Sequence, residues 1–147
     1  MPQCIIDLRS NVLDNNILIE IYHNKECIDS YNLTGSLKTT VFTINDEVSQ
    51  SNIIEITMSG KNSSHTIVDD GGNIVSDVYV ELEKILINDI NICSLVCDGQ
   101  LCYYHNSNGY SKWKNDNFYG FIGHNGTITV KYSTPLYKWF IGVVNNE

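Results

Sequence analysis

Two-residue alternation of apolar and polar side chains runs through most of this chain. In "NILIEIYH", Ile17, Ile19 and Ile21 share one face, and Leu18, Glu20 and Tyr22 share the other. In "NIIEITMS", Ile54, Ile56 and Met58 point one way, and Glu55 and Thr57 the other. Successive side chains of a pleated strand point to opposite faces, so this period predicts half-buried strands. In "VYVELEKILI", Val78, Val80 and Leu82 hold one phase and Ile85 and Ile87 the opposite one. A phase slip inside one strand predicts a bulge or a change of sheet near Glu83 and Lys84.

Turn signals break these runs at short intervals: "YHNKEC", "TGS", "DDGGN", the "ND" after Ile87, the "DG" after Cys97, and "HNG". Asn, Asp and Gly supply the positive backbone angles that tight hairpins need. About ten to twelve short strands with this spacing predict an all-β, antiparallel, jelly-roll-like sandwich. Little or no helix is expected, at most a turn or two in "NDEVSQSN". Pro135 is expected to open a last strand, with Trp139 and Phe140 on its opposite faces. No repeat or linker interrupts the pattern, which predicts one domain over residues 1–147.

Composition fits that picture. Of 147 residues, 42% are apolar and 18% charged, with no alanine and much Ile, Val, Thr and Tyr. Branched and aromatic side chains suit a sheet. The net charge of −8 repels phosphate and anionic lipid, which disfavours nucleic-acid and membrane-surface partners. No basic-then-apolar leader is visible, and no apolar run reaches the roughly 20 residues that cross a bilayer. Synthesis in a cytoplasm is expected. Five cysteines, an odd set, predict reduced thiols rather than a disulfide framework.

Candidate chemistry is sparse. "CSLVCDGQLCYYH" brings Cys93, Cys97, Cys102 and His105 together, but without the paired C-x-x-C knuckles of a tight zinc site. Three core thiols beside Leu95 are the simpler reading, so no metal is expected there. His23, His65, His105 and His124 lie near strand ends and are read as surface groups. No G-x-S-x-G elbow or phosphate-cradling glycine loop occurs. Glu20, Glu55, Glu81 and Glu83 each sit opposite an apolar face, as solvated residues do. No catalytic residue and no enzyme activity are therefore predicted.

Two stretches invite more. "GYSKWKNDNFYGF" places Tyr110, Trp113, Phe118, Tyr119 and Phe121 around a polar loop. Such rings can fill the core, form an interface or stack on sugars. Tyr110, Trp113, Tyr119 and Trp139 are the candidate contact residues. "TIVDDGGNIVSD" gathers Asp69, Asp70, Asn73 and Asp77. Counted from Asp70, a calcium-binding loop of the EF-hand kind would place Gly72 and Ile74 at ligand positions, so that reading fails. A looser calcium site from these four residues is the alternative to a plain turn, and the turn accounts for every residue without a metal.

The stretches "GKN" (60–62), "VDDGGNIVSDVYVELEKILIND" (68–89) and "GFIGHNGTITVKYSTPLYKWFI" (120–141) are similar to small β-proteins of tailed bacteriophages. The likeness covers roughly residues 53 to 142 and rests on turn spacing and the closing P-x-Y-x-W stretch. It implies a non-enzymatic virion component (tail, fibre, neck or capsid decoration) that contacts other virion proteins as a homo-oligomer. The middle section also resembles calcium-dependent carbohydrate-binding modules, which implies a sandwich that recognises a cell-surface glycan. Those modules place an Arg-Asn-like pair before the strand where this chain has Asp77 and Val78, so the sandwich can be shared without the metal site.

Overall fold

A computed structural model describes residues 1–93, the backbone of the strand 102–106, and residues 120–145, the last three by backbone alone. Two antiparallel sheets make up most of it. The first runs β11 (Phe121–Ile122), β8 (Val80–Ile87), β1 (Gln3–Ser10), β4 (Leu37–Thr43), with β9 (Ile90–Asn91) also paired to β8. The second runs β10 (Cys102–Asn106), β12 (Gly126–Thr134), β5 (Gln50–Ser59), β2 (Leu13–His23), β3 (Glu26–Thr34). A separate hairpin pairs β6 (Ile67–Val68) with β7 (Ile74–Ser76).

The predicted alternation decides which faces meet. Cys4, Ile6 and Leu8 of β1 and Val80, Leu82, Ile85 and Ile87 of β8 turn inward from the first sheet. Ile17, Ile19, Ile21, Ile54, Ile56, Met58, Ile128 and Val130 turn inward from the second, and all join one core. The phase slip in β8 is a bulge at the expected place. Asp7 pairs with Lys84 and Leu8 with Leu82, so Glu83 has no partner residue across the ladder. Inserting that one residue lets both halves of β8 keep their apolar side chains on the core face.

The turns follow their chemistry. Asn24 and Lys25, and likewise Asn88 and Asp89, have positive φ. Each pair joins strands whose flanking residues are in register, His23 with Glu26 and Ile87 with Ile90. Positive φ at both central residues is the primed turn that matches strand twist.

The end of the chain departs from expectation. Pro135 does not open a strand; β12 stops at Thr134 and a helix, α1, covers Leu136–Asn145. Leu136 is buried and Trp139 and Phe140 pack partly against the core, while Tyr137 and Ile141 are exposed. Trp139 and Phe140 therefore share the inner side of a helix rather than opposite faces of a strand. The stretch "NDEVSQSN" forms no helix; its Asp46 caps α1, accepting the Leu136 amide at 2.6 Å. Among the described residues no helix is long and apolar enough to cross a membrane.

Candidate functional site

Strands β5 and β12 lie side by side at the centre of the second sheet, and a hollow opens at each end of the pair. At one end, Ser51, Asn52 and Ile53 of β5, Lys131, Tyr132 and Ser133 of β12, and Trp139 of α1 line a groove of about 520 Å³. That volume suits a small ligand. The α1 helix sets the indole there because Leu136 anchors its first turn in the core. The Trp139 ring meets Tyr132 edge-on at 5.9 Å and Phe140 at 4.9 Å between centroids. Its indole N–H makes no hydrogen bond among the described residues. Asn52 is fully engaged by Asn24, Gln50 and Thr134, so it stiffens the floor. An aromatic wall beside two serine hydroxyls and a lysine is an amphipathic site.

Behind this groove His23 Nε2 and the Tyr132 hydroxyl lie 2.6 Å apart, and the imidazole packs on Phe42 at 4.5 Å. Burial lowers the His23 pKa, with Glu26 partly opposing, and burial pushes the Tyr132 hydroxyl up. Burial thus favours the neutral form of both groups, and their hydrogen bond braces the end of the β5–β12 pair behind the groove. His23 was expected at the surface; its aromatic packing partners, Phe42 and Tyr132, are remote in sequence. Because its folded pKa lies below the unfolded value, the unfolded chain binds the proton more readily. Stability is then retained above about pH 6.5 and declines as pH falls from there through the folded pKa. Melting curves between pH 8 and 5 should show that decline, and His23→Gln should flatten it.

At the other end of the β5–β12 pair, Lys61, Asn62, Ser63, Thr66, Ile74, Asp77, His124 and Asn125 line a polar hollow of about 380 Å³. Gly60 makes the turn into it with φ +89, where a Cβ would stand 2.1 Å from the Asn16 carbonyl oxygen. Lys61 is clamped through its backbone: its N–H donates to Asn125 Oδ1 at 2.9 Å and its carbonyl accepts from Asn125 Nδ2 at 2.8 Å. Its side chain is only 8% exposed, and Nζ donates to Asp77 Oδ1 at 2.7 Å and to the Gly123 carbonyl at 2.6 Å. Asp77 Oδ1 also accepts from Thr66 Oγ1 at 2.7 Å and from the Val78 N–H at 2.9 Å. Burial works to raise the Asp77 pKa, but the Lys61 and Thr66 hydrogen bonds, the Lys61 charge and the Val78 amide outweigh it and hold the carboxyl below its ordinary range.

The acidic loop proves to be a turn. Asp69 Oδ1 accepts the Gly71 and Asn73 amides, each at 2.9 Å, and Asp69 Oδ2 lies 3.4 Å from Asn73 Nδ2. Asp70 lies on the exposed turn, and Asp77 belongs to the Lys61 hollow instead. Calcium needs six to eight oxygens turned on one point. Among the described residues no three His, Cys, Asp or Glu side chains converge in that way. Asp69, Asp70, Asn73 and Asp77 thus do not fit a calcium cage.

Of the other candidates, Tyr110, Trp113 and Tyr119 lie outside the described residues, as do Cys97 and the side chains of Cys102 and His105. Cys4 is buried, which pushes its thiol up to about 12 and leaves it unreactive. Cys93 packs against the core and donates to the Leu82 carbonyl at 3.7 Å. The glutamates behave as solvated groups: Glu83 pairs with Arg9 and Glu55 with Lys25 at the surface. His65, expected to be exposed, is tied down: the Asn62 N–H donates to its Nδ1 at 2.9 Å, so its Nε2–H donates to Asp14 Oδ2 at 2.9 Å.

No known family and no curated protein matches the chain. Solved structures do resemble it. The selenomethionine form of vCBM60, described in connection with a circular permutation that links two families of calcium-dependent carbohydrate-binding modules, superposes with TM-score 0.54 at 8% identity, covering 88% of this chain and 90% of its own. vCBM60 in complex with galactobiose gives a weaker likeness, TM-score 0.49 at 11% identity, covering 87% of this chain and 96% of its own. The likeness at TM-score 0.54 agrees in fold with the second of the two resemblances in the sequence, and none of the similar structures is a virion protein. At 8% identity it speaks for architecture alone. The chain has a β-sandwich fold like that of these modules.

Proposed function

We propose that this chain is a non-catalytic carbohydrate-binding module that takes its sugar in the Trp139 groove. The observation that carries the reading is a groove in which the Trp139 indole, whose N–H makes no hydrogen bond among the described residues, shares the lining with Ser51, Ser133 and Lys131. A sugar ring is amphipathic in the same sense, with a C–H face that packs on an aromatic ring and a rim of hydroxyls. The vCBM60 fold likeness supports the reading. A glycan array, with and without chelator, tests it. One glycan class should be retained by the native chain, and Trp139→Ala should weaken that binding at least about tenfold, or about 1.4 kcal/mol. An array without signal, or a Trp139→Ala chain that binds as well, contradicts it.

A second reading, virion assembly from copies of this chain, draws on the β6–β7 hairpin. Ile67, Val68, Ile74 and Val75 are each more than half exposed there. Contiguous exposed aliphatic side chains mark contact surfaces. Solution mass by light scattering separates the readings: a closed oligomer favours assembly and a monomer excludes it.

A further inference from the structure

The polar hollow raises a different question. The chain has a fold like that of modules described as calcium-dependent, and it carries an acidic stretch, yet the stretch does not build a cage. A cationic side chain nevertheless reaches the last carboxylate of the stretch, Asp77. Lys61 Nζ lies among the Asp77 carboxylate and the Gly123 carbonyl, both within 2.7 Å, with its side chain more than nine-tenths buried. Its position is built rather than incidental, since Gly60 turns the chain inward and Asn125 holds the Lys61 backbone from both sides.

We infer that the Lys61 ammonium is the resident cation of this end of the sandwich, and that the segment from Asp69 to Asp77 takes no calcium. Two physical arguments support it. Asp77 Oδ1 already accepts from Lys61, Thr66 and the Val78 amide, which leaves that oxygen no free direction toward a metal. A calcium ion at the usual distance of about 2.3–2.6 Å from Asp77 would stand within a few ångströms of the ammonium, and like charges so close in a half-buried site repel strongly. Asp69, the other carboxylate with defined partners in the segment, has spent its Oδ1 on the amides of its own turn. The hollow is therefore shaped before any ligand arrives and stays shaped in a chelator.

The test is a calcium titration of the metal-stripped full chain, followed at the backbone amides of Gly71, Asn73 and Val78 by NMR. Calcium is taken to about 10 mM, beyond the weak end of modular affinities. No saturable shift at these amides is expected, and shifts confined to residues elsewhere leave the inference standing. A saturable shift at these amides that Asp77→Asn abolishes overturns it. Lys61→Met gives a second readout. The lone Asp77 carboxylate should lower the melting midpoint by about 10 °C, and Lys61→Met with Asp77→Asn should regain part of that loss. A Lys61→Met chain as stable as the native one, or a double variant that regains nothing, overturns the ion-pair role. Should Lys61→Met fail to fold, the calcium titration of the native chain decides alone.

Discussion

Replacing Gly60 with alanine is expected to lower the melting midpoint by about 10 °C or more, corresponding to a loss of about 3 kcal/mol. Two costs combine at this position. Its φ of +89 is one that side chains resist, and an added Cβ would stand 2.1 Å from the Asn16 carbonyl oxygen, a backbone atom that has no free rotation to escape. Relief would require β2 and the end of β5 to move apart, and those strands pair from Leu18–Ser59 inward. Gly72 serves as the control. It also has positive φ, +82, but nothing lies within 4 Å of an added Cβ. Gly72→Ala should therefore cost only the conformational part, about 1 kcal/mol. Thermal unfolding followed by circular dichroism measures both. Equal losses at the two glycines would show that the close approach at Gly60 is not real.

Ile56→Ala should have a comparable effect for a different reason. Ile56 sits mid-strand in β5, the middle strand of the second sheet, opposite Ile128 on one side and Ile21 on the other, and is 1% exposed. Truncation removes buried methyl groups and leaves a void that rigid neighbouring strands fill poorly, which costs about 3 kcal/mol. Ile56→Val should cost about 1 kcal/mol. Ile67→Ala, on the exposed hairpin, should change stability by less than about 0.5 kcal/mol. A chain that tolerates Ile56→Ala as readily as Ile67→Ala would not have the inward face described here.

The parts of the fold set by neighbours along the chain were legible in the sequence. Side chains at alternate positions in β2, β5 and β8 announce which face is buried, and the phase change between Leu82 and Ile85 marks an interruption near Glu83 and Lys84, which the structure resolves as a bulge rather than a change of sheet. Paired Asn, Asp and Lys residues at 24–25 and 88–89 announce tight reversals. The helix after Pro135 was missed although its signal was present: Leu136, Trp139 and Phe140 recur at helical spacing. Aromatic and branched residues favour strands, and in "LYKWFIGVV" that bias outweighed a short periodic stripe.

The site residues were less legible because their partners are distant. Nothing near Lys61 marks it as buried; Asp77, Gly123 and Asn125 come from sixteen to sixty-four positions away. His23 depends in the same way on Phe42 and Tyr132, and His65 on Asp14. Trp139 and Asp77 carry a signal of their own, the first as a contact residue on a strand and the second in the acidic stretch, but the Trp139 groove exists because a helix folds back over β12. The acidic run at 69–77 shows the converse. Local composition left a turn and a looser calcium site as alternatives with the turn preferred, while the engagement of Asp69 Oδ1 by the turn amides and of Asp77 Oδ1 by a remote lysine could be seen only in the fold.

The most direct measurement is the indole N–H resonance of Trp139, assigned by its loss in Trp139→Ala, during titration with an oligosaccharide selected on the array. A saturable shift with the same midpoint as binding is the predicted result. Sugar binding that leaves this resonance unmoved would place the ligand elsewhere and contradict the account.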